Sequence, residues 1–162
     1  MSVWLIIVIV ATTFICMEGV AWATHKYVMH GFLWVLHHDH HKKDHDHPLE
    51  RNDSFFLIFA VPSIVLFVVG TLKGLHTPWL WIGLGILLYG IAYFLVHEVF
   101  IHQRIKWLRT TRSAYFGGLR RAHKVHHKRI GKEDGECFGM LWVSMKYFRE
   151  AAQQHKSQAQ GG

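Results

Sequence analysis

Apolar residues in this chain are gathered into three long runs, and most polar residues lie between or after them. The runs cover residues 3–24, 55–72 and 79–96, and Glu18 is the one charged residue inside them. A helix needs about 20 apolar residues to cross roughly 30 Å of hydrocarbon, and each run is close to that length. The pattern therefore predicts an all-α integral membrane protein with about three transmembrane helices.

The distribution of positive charge predicts the orientation of these helices. Gly74 and Pro78 lie in the short turn between the second and third runs, which predicts an antiparallel helical hairpin. All 18 lysine and arginine residues except Lys73 lie in the two polar segments that follow the first and third runs. Three crossings put those segments on the same side, and the positive-inside rule predicts that this side is the cytoplasm.

The length of 162 residues predicts one domain over residues 1–150, in which a cytoplasmic helical cap follows the spans. The first run has neither a basic start nor a cleavage site, so we expect a retained anchor rather than a signal peptide. Residues 151–162 are rich in Gln, Ala, Ser and Gly and are expected to form a disordered tail. Cys16 and Cys137 are expected to be free thiols.

The net charge of +7 does not indicate a nucleic-acid-binding protein. Membrane topology and anionic lipid head groups account for cations beside a bilayer, and the sequence contains no signature of a nucleic-acid-recognition fold. We therefore expect no nucleic-acid partner.

Histidine is unusually frequent, with 15 residues, and ten of them form two patterns that each occur twice. HKYVMH and HEVFIH contain H-x4-H, and HHDHH and HKVHH contain H-x2-H-H. Each pair of patterns begins where an apolar run ends. The ten residues are His25, His30, His37, His40, His41, His97, His102, His123, His126 and His127.

The spacing within each pattern predicts its geometry. Residues i, i+3 and i+4 of an α-helix share an arc of about 100°, so an H-x2-H-H motif is expected to point one face at one centre. An i, i+5 pair is separated by about 140° on a regular α-helix, which is poor geometry for a shared site. We therefore expect a π-bulge or a helix break near His25 to His30 and near His97 to His102.

Ten imidazoles exceed what one metal ion can bind. An octahedral ion takes about six ligands, so the ten divide naturally into five for each of two ions, each with one open position. Imidazole suits Fe, Zn, Cu and Ni, and the ligand type alone does not choose among them. Structural zinc needs only four ligands, so two redox metals open to oxygen fit better. The other histidines are expected to be solvated or beside the ligands: His38, His45, His47, His76 and His155.

Several other residues have candidate roles near these metals. Asp39, Asp44 and Glu98 are expected to accept hydrogen bonds from the non-ligating nitrogens, and Glu18 either does the same or is a hydrogen-bonded acid between helices. The apolar stretches 31–36 and 137–148 are too short to span a bilayer, so they are expected to form interfacial or core-capping helices that would cover the metals. Three glycines of the third run, Gly83, Gly85 and Gly90, allow close helix packing or leave room for a ligand, and packing is slightly favoured.

The four histidine motifs, at these positions around a membrane hairpin, resemble the bacterial β-carotene hydroxylase family, within the membrane fatty-acid-hydroxylase-like di-iron enzymes. The resemblance covers residues 1–150 and matches all ten patterned histidines. It implies hydroxylation of the β-ionone rings, from β-carotene to β-cryptoxanthin and zeaxanthin, with two non-haem Fe ions, O2 as co-substrate and ferredoxin or a similar electron donor. It also implies a multi-pass protein of the bacterial inner membrane, with its active site on the cytoplasmic side.

Three alternatives remain open from the sequence. The same histidine plan serves hydroxylases of fatty-acyl or sterol chains, and a carotenoid ketolase would use the same site. A metal transporter is the non-enzyme alternative, but it predicts ligands at the middle of the membrane, whereas these histidines begin at the span ends. A carotenoid dissolved in the bilayer would enter laterally between helices.

Overall fold

A computed structural model describes residues 1–42, 49–107 and 110–160, and every regular element in those ranges is a helix. Two of the α-helices continue directly into π-helices, which we call π1 and π2. The elements are α1 Val3–Ala23, π1 Thr24–Phe32, α2 Trp34–His41, a 3-10 turn Arg51–Phe55, α3 Phe56–Lys73, α4 Trp79–Phe94, π2 Leu95–Ile101, α5 Ala114–His126 and α6 Met145–Gln160.

Three continuous helical stretches are long and apolar enough to cross a membrane, which confirms the three predicted spans. They are Val3–Phe32, Arg51–Lys73 and Trp79–Ile101. The first and third extend beyond the apolar runs because π1 and π2 continue the helices into the histidine motifs. Many of their apolar side chains face outward, as lipid-facing residues do; Leu72, for example, is 82% exposed.

The α1 and α4 helices run parallel and in contact. A Cβ added to Gly85 would lie only 2.6 Å from Cβ of Thr13, and the Tyr89 hydroxyl donates to Glu18 Oε2 at 2.7 Å. These contacts set the register of the two helices. Because π1 continues α1 and π2 continues α4 with nearly the same spacing, we expect His25 in π1 and His97 in π2 to lie at a similar depth.

The α3 and α4 helices form the predicted hairpin. Ser63 Oγ donates to the carbonyl oxygen of Gly83 at 3.0 Å, and Gly74 adopts φ +93°, a left-handed conformation that favours glycine, where α3 ends. The three glycines of α4 divide between the two predicted roles. Gly83 and Gly85 pack closely against α3 and α1, whereas Gly90 has only Phe59 near the position of a Cβ, at 3.9 Å, and lines a cavity.

The cap consists of α2, α5, α6 and the chain that joins them. A buried cluster joins α5 and α6 to the end of the third span: Val96, Leu119, Ala122, Met140, Val143 and Tyr147. The Ser113 hydroxyl accepts the Phe116 amide hydrogen at the start of α5. The buried cluster holds one face of α5, which carries His123 and His126, against the end of the third span.

The structure corrects the prediction that residues 31–36 and 137–148 form capping helices. Gly31 has non-helical dihedral angles and kinks the last turn of π1, which ends at Phe32, and α2 begins at Trp34. Residues 137–144 contain no helix, and α6 begins only at Met145. The second difference has a tertiary cause, since the amides of Met140, Leu141 and Trp142 donate to the carboxylate of Glu18, which lies in α1, instead of to helix carbonyls.

The structure also differs from the expected disordered tail, because α6 continues to Gln160. Ala151 is 4% exposed and packs on α5, where a Cβ added to Gly117 would lie 3.2 Å from Cβ of Ala151. Alanine and glutamine are good helix formers, so the chain continues as a helix where it packs on α5. Cys16 and Cys137 are both free, as predicted.

Candidate metal centre

Both H-x4-H motifs lie in π-helical backbone, which confirms the predicted helix distortion. His25 and His30 lie within π1, and the His102 amide donates to the carbonyl of His97 at 2.9 Å, five residues earlier. A π-helix has i→i+5 hydrogen bonds and more residues per turn than an α-helix, so residues i and i+5 lie nearer to the same side. The two imidazoles of each motif therefore come to the same side of their helix, toward the interior of the cap.

Nine of the ten patterned histidines form two compact groups, within each of which the candidate ligand atoms lie within 4.8 Å of one another. The first histidine group contains His25, His30, His37, His41 and His126. The second histidine group contains His40, His97, His102 and His123. The tenth histidine, His127, adjoins the second group, with its Nε2 atom 2.8 Å from Nε2 of His123.

The prediction that each H-x2-H-H motif points at one centre is wrong. In α2, His37 and His41 belong to the first group and His40 to the second. In α5, His126 belongs to the first group, while His123 and its neighbour His127 lie at the second. The arc of about 100° that three such residues share is wide enough to face two adjacent centres, with i and i+4 at one and i+3 at the other. Each motif therefore bridges the two groups.

Most of these rings are oriented by an oxygen atom that accepts a hydrogen bond from Nδ1. Three acceptors are backbone carbonyl oxygens: that of Phe138 for His25 at 3.0 Å, that of Ile130 for His30 at 2.7 Å and that of Glu136 for His126 at 3.0 Å. The other three are side-chain oxygens: that of Asn52 for His37 at 2.6 Å, that of Glu50 for His40 at 2.9 Å and that of Glu98 for His97 at 2.5 Å. An oxygen acceptor requires the proton on Nδ1, so the Nε2 lone pair of a neutral ring faces the group.

The Nε2 atoms converge closely enough to bind a common cation. His37 Nε2 lies 3.2 Å from that of His25 and 3.1 Å from that of His41, and His123 Nε2 lies 2.8 Å from that of His102. Unprotonated nitrogens at such distances repel one another. The buried Nε2 of His40 has no hydrogen-bond partner among the described residues. These lone pairs suit metal ions that prefer imidazole.

The electrostatic environment keeps the rings in the neutral form that a metal ligand requires. Burial lowers the pKa of His37 and of His126 to about 3, and that of His127 to about 4. Burial also lowers the pKa of His40 and of His123 well below the usual value, and nearby histidines add to the effect. A desolvated imidazole gives up its proton readily, so these rings are available to bind a cation.

Arg104 joins the carboxylates that orient the second histidine group. Its guanidinium lies 3.1 Å from Glu50 Oε2, 2.8 Å from Asp53 Oδ1 and 3.1 Å from Glu98 Oε2. Glu50 and Glu98 in turn accept from His40 and His97. A single arginine therefore fixes the carboxylates that hold two of the candidate ligands.

The carboxylates named from the sequence have different surroundings. Glu98 accepts a hydrogen bond from His97, whereas Asp39 Oδ2 accepts from the Arg51 amide at 2.6 Å. Glu18 bonds to Tyr89 and to backbone amides and makes no hydrogen bond to a described histidine. Asp44 lies outside the described residues.

Sequence reasoning missed Glu50, Asn52 and Arg104. For Glu50 and Asn52 the available signal was the polar ERNDS segment, residues 50–54, directly before the second apolar run. Of the other histidines, His38 packs on Trp34 with ring centroids 5.6 Å apart, and neither His76 nor His155 joins a group. His45 and His47 lie outside the described residues.

An apolar cavity of about 370 Å³ opens beside the first histidine group. It lies between the spans, and its walls include Met29, Phe55, Phe59, Tyr93, Phe94 and Phe138. His25 lines it directly, and Asn52, Asp53, Glu98 and Arg104 provide its polar part. Phe56 belongs to the same wall and is 67% exposed on the lipid-facing side of α3, so the cavity is bounded by a surface that lipid would cover.

Three helices that can cross a membrane, with two adjacent buried histidine groups at their ends, define a helical membrane protein with a candidate two-metal site. The fatty acid hydroxylase family model matches residues 10–148, and the chain belongs to this family.

Among the curated relatives, the "Beta-carotene hydroxylase" of Paracoccus sp. (strain PC1) is 39% identical over 136 residues, which cover 83% of this chain and 82% of the relative. The protein of the same name from Pantoea ananas is 40% identical over 135 residues, covering 83% and 75%. "Beta-carotene hydroxylase 1, chloroplastic" of Capsicum annuum is 38% identical over 123 residues, which cover 74% of this chain and 38% of the plant protein. No solved structure matches this chain.

Proposed function

We propose that this protein is a β-carotene 3-hydroxylase, an O2-dependent monooxygenase that converts β-carotene to β-cryptoxanthin and then to zeaxanthin. The observation that carries the proposal is the convergence of imidazole nitrogens in two adjacent groups beside an apolar cavity. Bacterial relatives that are 40% identical to this chain, over 82% and 75% of their own length, are named "Beta-carotene hydroxylase". Two iron ions, when bound, would supply the redox chemistry that activates dioxygen and breaks an unactivated C–H bond.

The two histidine groups would hold one iron each. The first group supplies five imidazoles, and the second supplies four, with His127 as the fifth. An octahedral ion takes about six ligands, so five imidazoles would leave one position open. Nδ1 hydrogen bonds to carbonyl and carboxylate oxygens hold the rings so that Nε2 points inward without reorganisation.

The cavity would bind and orient one end of the carotenoid. Its aromatic and aliphatic walls exclude water from the hydrocarbon, and His25 brings the first histidine group to the cavity surface. A cavity of about 370 Å³ holds an end ring but not the whole molecule. The polyene would therefore leave past Phe56 into the bilayer, and each of the two rings would be bound in turn.

The proposed location is the bacterial inner membrane, with the histidine groups on the cytoplasmic side. Support comes from the lysine and arginine residues, nearly all of which lie on the side of the histidines. Ferredoxin or a similar small carrier would supply the electrons. The exposed positive surface of α5, which includes Arg121 and Lys124, fits an acidic protein of this kind.

Expression in a bacterium that accumulates β-carotene tests the activity. Chromatography of the extracted pigments should show β-cryptoxanthin and zeaxanthin, because the proposed site adds a hydroxyl to each ring. The matched control is the His126→Ala chain, which should leave β-carotene unchanged. Ring ketones in place of hydroxyls would favour the ketolase, and unchanged β-carotene with a hydroxylated fatty-acyl or sterol lipid would contradict the proposed substrate.

Gly90→Ile tests the binding cavity. The added side chain would project toward the cavity, where the nearest atom to a Cβ is 3.9 Å away. We expect kcat/KM for β-carotene to fall about tenfold or more, because a few methylenes change pocket affinity by about 1–3 kcal/mol each. Metal content should not change.

Leu88→Ile is the matched control for Gly90→Ile, because Leu88 lies on the same helix and is 40% exposed. It should keep kcat/KM within about twofold. Equal conversion by the Gly90→Ile chain and the wild type would show that the carotenoid ring binds elsewhere.

A further inference from the structure

Glu18 is a charged residue in the middle of the protein's first span, and its carboxylate is fully engaged. Oε1 accepts backbone amides from Met140 at 2.8 Å, Leu141 at 3.0 Å and Trp142 at 3.0 Å. Oε2 accepts the Tyr89 hydroxyl at 2.7 Å. One acidic side chain therefore joins α1, α4 and the non-helical segment 137–144. A carboxylate suits this role because it has about four acceptor sites and no donor.

The segment closes tightly around this carboxylate. A Cβ added to Gly139 would lie 2.9 Å from Glu18 Oε1 and 2.5 Å from the carbonyl oxygen of Trp142. Residues Met140 and Val143 are buried in the cluster that joins α5 to the third span. The path of residues 137–144 is therefore determined by Glu18 on one side and by the cap core on the other.

Two residues just before the amides that Glu18 binds, Glu136 and Phe138, contact the first histidine group. The Phe138 carbonyl accepts from His25 Nδ1 at 3.0 Å, and the Glu136 carbonyl accepts from His126 Nδ1 at 3.0 Å. The Phe138 ring also packs on three imidazoles, with centroids 5.6 Å from His25, 5.2 Å from His30 and 5.3 Å from His126. This short stretch of chain orients rings that come from π1 and from α5.

From these contacts we propose that Glu18 is a positioning residue for the first histidine group. By holding the amides of residues 140–142, it holds the carbonyls of Phe138 and Glu136 where His25 and His126 need them. No described hydrogen bond joins this segment to an imidazole of the second histidine group, whose orienting carboxylates are Glu50 and Glu98, held by Arg104. The inference rests on the proposed function only in treating the histidine groups as metal sites.

The test measures binding of cobalt(II) alone to the metal-free full-length chain, followed by the visible spectrum of the bound ion. Glu18→Gln is made in two backgrounds. In the first, His123→Ala disables the second group, and in the second, His37→Ala disables the first. Glutamine is nearly the same size, but its NH2 group faces backbone amides that also donate.

We expect Glu18→Gln to weaken cobalt binding about 10–100-fold in the His123→Ala background, the usual cost of losing a partner that orients a ligand. In the His37→Ala background the change should be less than about twofold, because that site is held by other residues. Tyr89→Phe keeps the Glu18 carboxylate and its hydrogen bonds from the backbone amides, so it should lower cobalt affinity by less than about threefold in the His123→Ala background.

Equal affinity with and without Glu18→Gln in the His123→Ala background would overturn the inference, and so would equal losses in both backgrounds. If the Gln variant does not insert, Glu18→Asp answers the same question. Its shorter carboxylate should weaken the first group only, and unchanged cobalt binding there would overturn the proposal. A wild-type chain that binds no cobalt would overturn the metal centre and this inference together, whereas unaffected variants of a cobalt-binding chain would overturn the inference alone.

Discussion

Replacing His123 with alanine is expected to abolish hydroxylation while the protein still inserts into the membrane. His123 is 5% exposed, and its Nε2 lies 2.8 Å from those of both His102 and His127, so it is central to the second histidine group. Loss of an outer partner of a ligand costs about 10–100-fold, so loss of a ligand should cost at least about 100-fold in activity. Bound iron should fall from two ions per chain to about one. Pigment conversion and iron analysis of the same membranes measure both effects.

His38→Ala is the matched control for this variant. His38 is a neighbour of ligand candidates in α2, but its ring packs on Trp34 and does not join either group. Activity and iron content should stay within about twofold of the wild type, as for most substitutions away from a site. Comparable losses in both variants would contradict the separation between ligands and other histidines.

Replacing Arg104 with alanine should weaken iron binding without removing any ligand. The change leaves Glu50, Asp53 and Glu98 close together without the guanidinium between them, and the carboxylates would move apart. His40 and His97 would then lose the acceptors that orient them. We expect the iron affinity of the second group to fall about 10–100-fold, with activity largely restored by excess iron. Iron titration of the metal-free protein provides the measurement.

Arg121→Ala separates this effect from the loss of positive charge alone. Arg121 pairs with Glu150, and the two side chains are 50% and 42% exposed, so the pair contributes little to stability. Iron affinity should change by less than about twofold. An Arg104→Ala chain with wild-type affinity would show that the carboxylates hold their places without the arginine.

The spans and the histidines could be predicted from the sequence because each depends on local spacing. The length of each apolar run predicted a membrane helix. The H-x4-H spacing gives poor geometry for a shared site on a regular α-helix, so the distortions found in π1 and π2 could be predicted from the two H-x4-H motifs. The division of the H-x2-H-H motifs between two groups was not predictable. It depends on where α2 and α5 lie relative to each other, which only the tertiary structure determines.

The partners of the histidines were also beyond the sequence pattern. Carbonyl oxygens of Phe138, Ile130 and Glu136 accept hydrogen bonds irrespective of side chain, so no residue type marks them. Arg104 reaches Glu50 across two spans and the loops that connect them. Residues 137–148 read as a helix by their apolar content, and Glu18 from a distant part of the chain takes the amides that a helix would have used.

The most direct test of the two-metal account is the iron content of the purified, active protein, measured together with its hydroxylation rate as iron is restored to the metal-free chain. If each histidine group binds one iron, the protein should contain two iron ions per chain, and its rate should reach a maximum only when the second ion is bound. Full activity with one iron per chain, or in a chain from which iron has been removed, would contradict a two-metal site.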